Sequence, residues 1–181
     1  WHFLPNSVAL SSSNLLQHIT TKVVNGTLII TSDENINTAE SEKVHVQMPT
    51  IEGLDATSGA IITSVSVLKG TAIAVSTTSG SEINANLEYD AITAECTSGS
   101  TITLSGKALK LDTQSSSGSQ FEADKLLVNE VTSEATSGSS TSVNVLVNLV
   151  AKVSSGASID YAGTPKNVSK EESSGGSISG N

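Results

Sequence analysis

Apolar and polar positions alternate at fixed distances from seven Ser-Gly pairs along the chain. The pairs are 18 to 21 residues apart, and their glycines are Gly59, Gly80, Gly99, Gly118, Gly138, Gly156 and Gly175. A mostly apolar position recurs three residues after each glycine, at Ile62, Ile83, Ile102, Phe121, Thr141, Ile159 and Ile178. The positions four residues before and four after each glycine are mostly polar. A period of two predicts strands with one buried face.

Two further columns of small or apolar residues precede each glycine. One column, seven residues before it, contains Ile73, Ile92, Leu111, Val131 and Leu149. The other, five residues before it, contains Leu54, Val75, Ala94, Thr113, Ser133 and Ala151. We expect all these columns to point inward.

A repeat of about 19 residues with two or three short strands predicts a parallel β-helix, a stack of coils in which equal positions lie above one another. The Ser-Gly pair is then the bend of each coil, because glycine adopts backbone conformations that a Cβ disfavours. A leucine-rich repeat would need a recurring L-x-x-L-x-L frame, which the chain lacks. A sandwich would show turns every 8 to 12 residues without this register.

Residues 1–50 are less periodic than residues 51–181. Asn25-Gly26 between alternating β-formers predicts a two-residue hairpin turn of type I′. Lys43 to Pro49 also alternates, so we expect a hairpin and irregular first coils here. Residues 31–42 are polar and predict an exposed loop. Since no linker divides the chain, we predict one β-helix domain over residues 1–181.

The amino-acid composition excludes several classes of binding partner. The chain has nine lysines and no arginine against eighteen carboxylates, which argues against nucleic acid and anionic membrane surfaces. No run of 18 apolar residues occurs, so we expect no transmembrane segment. The start at Trp1 has no initiator methionine and no signal-peptide pattern, which suggests a trimmed chain.

The C-terminal residues 154–181 resemble the end of a bacterial family frequent in Bacteroidetes, the auto-transporter adhesin head GIN domain (DUF2807). The similar segments are Gly156-Ala157-Ser158, Tyr161, Gly163-Thr164-Pro165 and Ser174-Gly175-Gly176. The Ser-Gly units extend the resemblance over residues 14–181, although the first residues depart from it. The resemblance implies a right-handed β-helix that is exported, associated with the cell envelope and adhesive, with no catalytic motif to carry over.

A catalytic function is the alternative to this interpretation. β-Helix lyases use acidic calcium ligands and a basic residue, typically arginine, and glycosidases need paired carboxylates. Lys107, Lys110 and Lys125 are scattered, and Glu95 and Glu134 share one column two coils apart, which is typical of a solvated face. We therefore predict no catalytic residues and no cofactor.

Other candidate groups favour structural interpretations. Cys96 lies in a column of small residues and predicts a buried, unreactive thiol. The three histidines, His2, His18 and His45, lack metal-ligand spacing, and the segment 33–35 lacks the frame of a calcium loop, so we predict no metal site. The imperfect threonine column two residues before the glycines, Thr57, Thr78, Thr97 and Thr136, is not regular enough for ice binding.

At the C-terminus the regular pattern is interrupted. The segment 162–172 contains Pro165 and several charges, so we predict a loop there, followed by a last inward rung at Ile178 beneath Ile159. The predicted function is a non-catalytic, exported protein of the cell envelope or secreted medium. It would present a polar, acidic face to an extracellular carbohydrate or protein, and a homo-oligomer stays open. The alternative is a polysaccharide-active lyase or hydrolase.

Overall fold

The structure is a computed structural model that describes residues 7–10, 19–32 and 43–180. Every regular element in these residues is a β-strand. The chain divides into two compact units, residues 1–49 and residues 50–181, and each is described by itself. The boundary lies at the predicted change from irregular to regular sequence, whereas a single domain over residues 1–181 stays a prediction.

The first unit contains two antiparallel strand pairs. Its strands are β1 (Ser7–Leu10), β2 (Ile19–Val24), β3 (Thr27–Ser32) and β4 (Val44–Gln47). Strand β1 pairs with β4, and β2 pairs with β3. Between β2 and β3, Asn25 has φ 49° and Gly26 has φ 82°. Both central residues are left-handed, as a type I′ turn requires, so the predicted hairpin is confirmed.

Two predictions for the first unit need correction. The described strands before residue 50 all pair antiparallel, so the expectation of first coils there is wrong for these strands. Thr31 and Ser32 belong to β3 and not to a loop. They continue the alternation of β2 and β3 and pair with Thr20 and Ile19. The rest of the predicted loop, residues 33–42, lies outside the described residues.

The second unit is a stack of parallel coils. Its strands are β5 (Gly53–Ala56), β6 (Ile61–Thr63), β7 (Leu68–Thr77), β8 (Glu82–Cys96), β9 (Thr101–Ser115), β10 (Gln120–Ala135), β11 (Ser140–Val153), β12 (Ser158–Ala162), β13 (Asn167–Glu172) and β14 (Ser177–Gly180). Every pairing among them is parallel, with each strand bonded to the strand one coil away. Strands β8 to β11 run 14 to 16 residues, so in the middle coils one strand fills the path from corner to corner. The predicted all-β parallel β-helix is confirmed.

The register places the column after the glycines in one continuous row. Ile62 pairs with Ile83, and the row continues through Ile102, Phe121, Thr141 and Ile159 to Ile178. From Ile83 onward these side chains are at most 6% exposed. Ile62 is only half-buried, because it lies in the first rung near the open end of the stack. The two columns that precede the glycines are also buried from Ile73 onward, and together the three columns fill the centre of the coils.

The predicted loop over residues 162–172 is wrong for most of its length. Ala162 ends β12, and β13 (Asn167–Glu172) pairs with β11, so only residues 163–166 leave the strands. The charged residues of this segment were the reason for the wrong prediction. Lys170 and Glu172 occupy inward columns, in register with Ala151 and Val153, but no further coil covers them there. Lys170 Nζ donates to the Ile178 oxygen at 3.3 Å, and Glu172 Oε1 accepts from the Ile178 amide at 2.6 Å. The last rung at Ile178 is confirmed, since Ile178 pairs with Ile159.

Candidate functional site

The Ser-Gly corners are built alike at all seven positions. Each serine has φ between 48° and 57°, and each glycine has φ between 67° and 77°. Two successive left-handed residues repeat the geometry of the Asn25-Gly26 turn. The amide of each corner glycine donates to the serine oxygen of the next corner at 3.1 to 3.2 Å, from Gly59 to Gly156. A Cβ on any of these seven glycines would meet nothing within 4 Å, so the corner needs glycine for its conformation and not for space.

The structure shows a row of buried serines behind these corners, which the sequence analysis did not predict. Ser81, Ser100, Ser119 and Ser139 directly follow a corner glycine and are at most 2% exposed. Ser100 Oγ lies 2.6 Å from the Thr97 oxygen of its own turn and 3.1 Å from the Thr77 oxygen one coil earlier. The recurrence of a small residue directly after each Ser-Gly pair was the available signal. These hydroxyls satisfy buried carbonyl groups and have a structural role.

Cys96 lies inside the stack, as predicted. Its side chain is fully buried, and Thr77 Oγ1 donates to its Sγ at 3.2 Å. The neighbouring rungs of its column, Thr77 and Ser115, are also buried. A buried thiol without access to solvent is a packing residue, not a nucleophile.

One outer surface of the coils is polar and lacks lysine, and we call it the acidic face. It consists of the two outward columns that directly follow the corners from Gly80 onward. They are Glu82, Thr101, Gln120, Ser140, Ser158 and Ser177, and beside them Asn84, Thr103, Glu122, Ser142, Asp160 and Ser179. One coil earlier the same columns hold Ile61, which is 68% exposed, and Thr63. Five coil spacings make each column about 24 Å long. Three carboxylates and no base give this face a negative charge.

Hydrogen bonds hold the three carboxylates of the acidic face in place. Asn84 Nδ2 donates to Glu82 at 2.6 Å. Glu122 accepts from Gln120 Nε2 at 2.6 Å and from Thr103 Oγ1 at 3.3 Å. The Ser179 hydroxyl donates to Asp160. These carboxylates follow one another on one parallel sheet at intervals of two coils, about 10 Å by the coil spacing, so they do not converge on one bond as a general acid and base would.

The opposite outward surface, which precedes the corners, carries charges of both signs. Glu95, Gln114, Glu134, Lys152 and Glu171 follow one another in one exposed column. Lys152 pairs with Glu171 at 3.2 Å. The structure therefore places Glu95 and Glu134 on a solvated column with Gln114 between them.

Between these two surfaces the coils bend at a third, partly apolar surface, which we call the leucine flank. Leu109, Leu127 and Leu146, on three successive coils, line an open groove of about 450 Å³. Tyr89 and Ala108 lie at its floor and are nearly buried. The sequence prediction did not single out these leucines, because each is an apolar residue at an outward position, where the alternation predicts a polar one.

The leucine flank also holds the perturbed titratable groups. A hydrogen bond from Lys69 at 2.8 Å lowers the pKa of Glu88, and the charge of Lys107, 3.7 Å away, adds to this effect. Burial raises the pKa of Tyr89, and the nearby charge of Glu52 raises it further. The Tyr89 hydroxyl donates to the Ile51 oxygen at 2.6 Å. Both shifts have structural causes and do not indicate catalysis.

The remaining candidate groups do not come together. His45 lies on β4, whereas His2, His18 and residues 33–35 lie outside the described residues. Lys107 contacts Glu88, and Lys110 pairs with Glu130 at 3.7 Å, whereas Lys125 lies one coil further along beside Ser105. In the described part of the chain, no three His, Cys, Asp or Glu residues form a group that could hold a metal ion.

Stacked parallel coils with a polar face define a β-helical repeat protein. The family model described as "Putative auto-transporter adhesin, head GIN domain" (DUF2807) matches residues 5–165. The chain belongs to this family. No curated protein matches the chain. Within the described ranges, no helix is long and apolar enough to cross a bilayer.

Solved structures from Bacteroidetes share the fold. A "putative adhesin" from Bacteroides fragilis NCTC 9343 superposes with a TM-score of 0.83 at 18% identity, covering 93% of this chain and 78% of that one. A "putative adhesin" from Parabacteroides merdae ATCC 43184 has a TM-score of 0.65 at 17% identity, covering 96% and 82%. A "Putative lipid binding protein" from Parabacteroides distasonis ATCC 8503 has a TM-score of 0.71 at 16% identity, covering 96% and 82%.

Proposed function

We propose that this protein is a non-catalytic, adhesin-like β-helix, exported to the cell envelope or secreted, that binds an external carbohydrate or protein through its acidic face. The observation that carries the proposal is the composition of that face, in which twelve outward positions over six coils have no lysine and no apolar side chain. One coil earlier the same columns hold an exposed apolar residue, Ile61, and Thr63. Membership in an adhesin family supports an external partner.

The geometry of the acidic face suits binding better than turnover. Its carboxylates and amides already hold one another, so they can accept hydrogen bonds from sugar hydroxyls or from lysine and arginine side chains with little loss of side-chain entropy. Hydrolysis needs a carboxylic acid and a second carboxylate on opposite sides of one bond, roughly 5 to 9.5 Å apart across a cleft. The carboxylates of the acidic face lie side by side on one parallel sheet, about 10 Å apart by the coil spacing, and do not face each other across one bond.

A binding screen and an activity screen on the same chain test this proposal. The full chain is applied to a glycan array, to immobilised poly-L-lysine and to phosphatidylcholine vesicles, the last because one structural neighbour is described as lipid binding. The same glycans are incubated with the chain, and released oligosaccharides are measured. Binding to the array or to poly-L-lysine without released product supports the proposal. Released oligosaccharides contradict it and favour a lyase or hydrolase.

A further inference from the structure

The leucine flank is the most apolar outward surface of the middle coils. Leu109 is 51% exposed, Leu127 48% and Leu146 43%, and the three lie on successive coils along one groove. Leu127 is in register with Lys107 and Asn144, so the three leucines form a staggered group around the groove. Grouped leucines differ from singly scattered ones, because contiguous apolar surface usually marks an interaction site.

Irregular strand pairing occurs on β10 around one of these leucines, Leu127. The pairing of β10 with β11 shifts register between Ala123 and Leu127 and again between Val128 and Glu130. Its pairing with β9 shifts between Glu122 and Lys125. Such bulges re-aim side chains, and here they surround Leu127 in an otherwise regular stack. At Leu127 the flank is therefore a local departure from the repeat, whereas β9, which carries Leu109, pairs with β8 without a register shift.

Charge distinguishes the leucine flank from the rest of the coils. Four lysines and four carboxylates border it, namely Lys69, Lys107, Lys110, Lys125, Glu88, Asp90, Asp124 and Glu130. The rest of residues 50–181 carries three lysines against ten carboxylates. Two copies of this acidic chain repel each other over most of their surface, but they can meet without net repulsion at the flank.

We propose that the leucine flank is a self-association surface, on which a second copy of this chain docks about a two-fold axis. With the two grooves antiparallel and the axis at Leu127, Leu127 faces Leu127, and Leu109 and Leu146 of each copy lie about two residues to one side of the axis. Both signs of charge lie beside the leucines, so the flank complements itself, as a two-fold contact requires. A strongly anionic partner would be repelled by the acidic surroundings, and a strongly cationic partner fits the acidic face better.

Three half-exposed leucines form a small contact, so the dimer is expected to be reversible, with a Kd on the order of tens of micromolar. Sedimentation equilibrium of the full chain up to about 0.5 mM, roughly ten times that Kd, measures it. Leu127→Glu should weaken association at least about tenfold, because it places two like charges at the axis. The matched control is Val150→Glu, because Val150 is similarly exposed at 41% but does not line the groove and lies on the outward surface that precedes the corners.

Cross-linking locates the contact. The chain has one cysteine, Cys96, which is buried, so Leu127→Cys introduces the accessible thiol. Mild oxidation should yield disulfide-linked dimers of Leu127→Cys and not of Val150→Cys. The proposal fails if the chain stays monomeric at the highest concentration, or if Leu127→Glu and Val150→Glu dimerise equally. It also fails if Leu127→Glu abolishes binding to phosphatidylcholine vesicles while the parent chain is monomeric, since the occupant is then lipid. Leu109→Glu and Leu146→Glu repeat the test if Leu127→Glu does not fold.

Discussion

Two valines on the same strand separate the inside of the coils from the outside. Val145 and Val150 both lie on β11, but Val145 is fully buried and Val150 is 41% exposed. Replacing Val145 with Asp removes a buried apolar side chain, at about 1.5 to 3 kcal/mol, and buries an unpaired polar group at roughly 1 to 3 kcal/mol more. We expect a loss of about 4 kcal/mol in the free energy of unfolding. At Val150 the charge stays in water, so the loss should be about 1 kcal/mol or less.

Urea unfolding followed by far-ultraviolet circular dichroism measures both variants. With a slope of about 2 kcal/mol per molar urea, the midpoint should fall by about 2 M for Val145→Asp and by no more than about 0.5 M for Val150→Asp. If Val145→Asp does not fold, Val145→Ala and Val150→Ala give the same contrast at about half the size. Equal midpoint shifts within either pair would refute the inward and outward assignment of β11.

Three further predictions test other parts of the fold. Gly106 has φ 111°, and a Cβ there would collide with the Leu87 oxygen, so Gly106→Ala should lower the free energy of chemical unfolding by about 3 kcal/mol. At the control position Gly53, the nearest atom to an added Cβ is 3.9 Å away, so Gly53→Ala should change that free energy by no more than about 0.5 kcal/mol. Because the pKa of Tyr89 is raised in the fold, its neutral form contributes stability fully below the unfolded pKa of about 10 and loses that contribution as pH rises through the folded pKa. Tyr89→Phe should remove this alkaline loss from thermal melts, and an unchanged loss would show that Tyr89 is not its source. Deleting residues 174–181 removes Ile178, which covers Ile159 and contacts Lys170 and Glu172. The exposed last coil should then associate, and light scattering should show oligomers, whereas Pro165→Ala should leave the oligomeric state unchanged. A truncated chain that stays monomeric and melts like the parent would show that this rung does not protect the end.

The repeat could be predicted from the sequence because the same pattern of side chains recurs in every coil. Equal offsets from the Ser-Gly pairs carry similar side chains, and stacked parallel strands turn equal offsets into spatial neighbours. The inward columns and the last rung at Ile178 followed from this alone. The type I′ hairpin followed from Asn25-Gly26, a local signal that needs no long-range information.

The predictions made from the sequence were wrong or incomplete where the stack ends and where its coils bend. Lys170 and Glu172 read as loop residues because their charges do not suit an inward column, yet at the last coil they can bond the backbone of Ile178. The leucine flank was missed because its leucines are apolar residues at outward positions, and because bulges in β10 shift the register around Leu127. The acidic face was foreseen as a polar surface, but its hydrogen-bonded carboxylates depend on contacts between coils that no local pattern shows.

The central claim is that the acidic face holds an external partner. The most direct test compares two variants that each remove three carboxylates from outward positions. The acidic-face variant combines Glu82→Gln, Glu122→Gln and Asp160→Asn, and the control combines Glu95→Gln, Glu134→Gln and Asp112→Asn on the opposite surface. Both change the net charge equally, so a difference between them reports position and not total charge.

The measurement is the binding isotherm of each full-length variant on the glycan array and on immobilised poly-L-lysine, at low and at physiological ionic strength. The account predicts that the acidic-face variant loses at least about tenfold in affinity for the probe that the parent binds, while the control stays within about twofold of the parent. Equal losses in both variants would show that binding follows net charge. An unchanged affinity of the acidic-face variant would contradict the account, because the partner would then bind elsewhere on the chain.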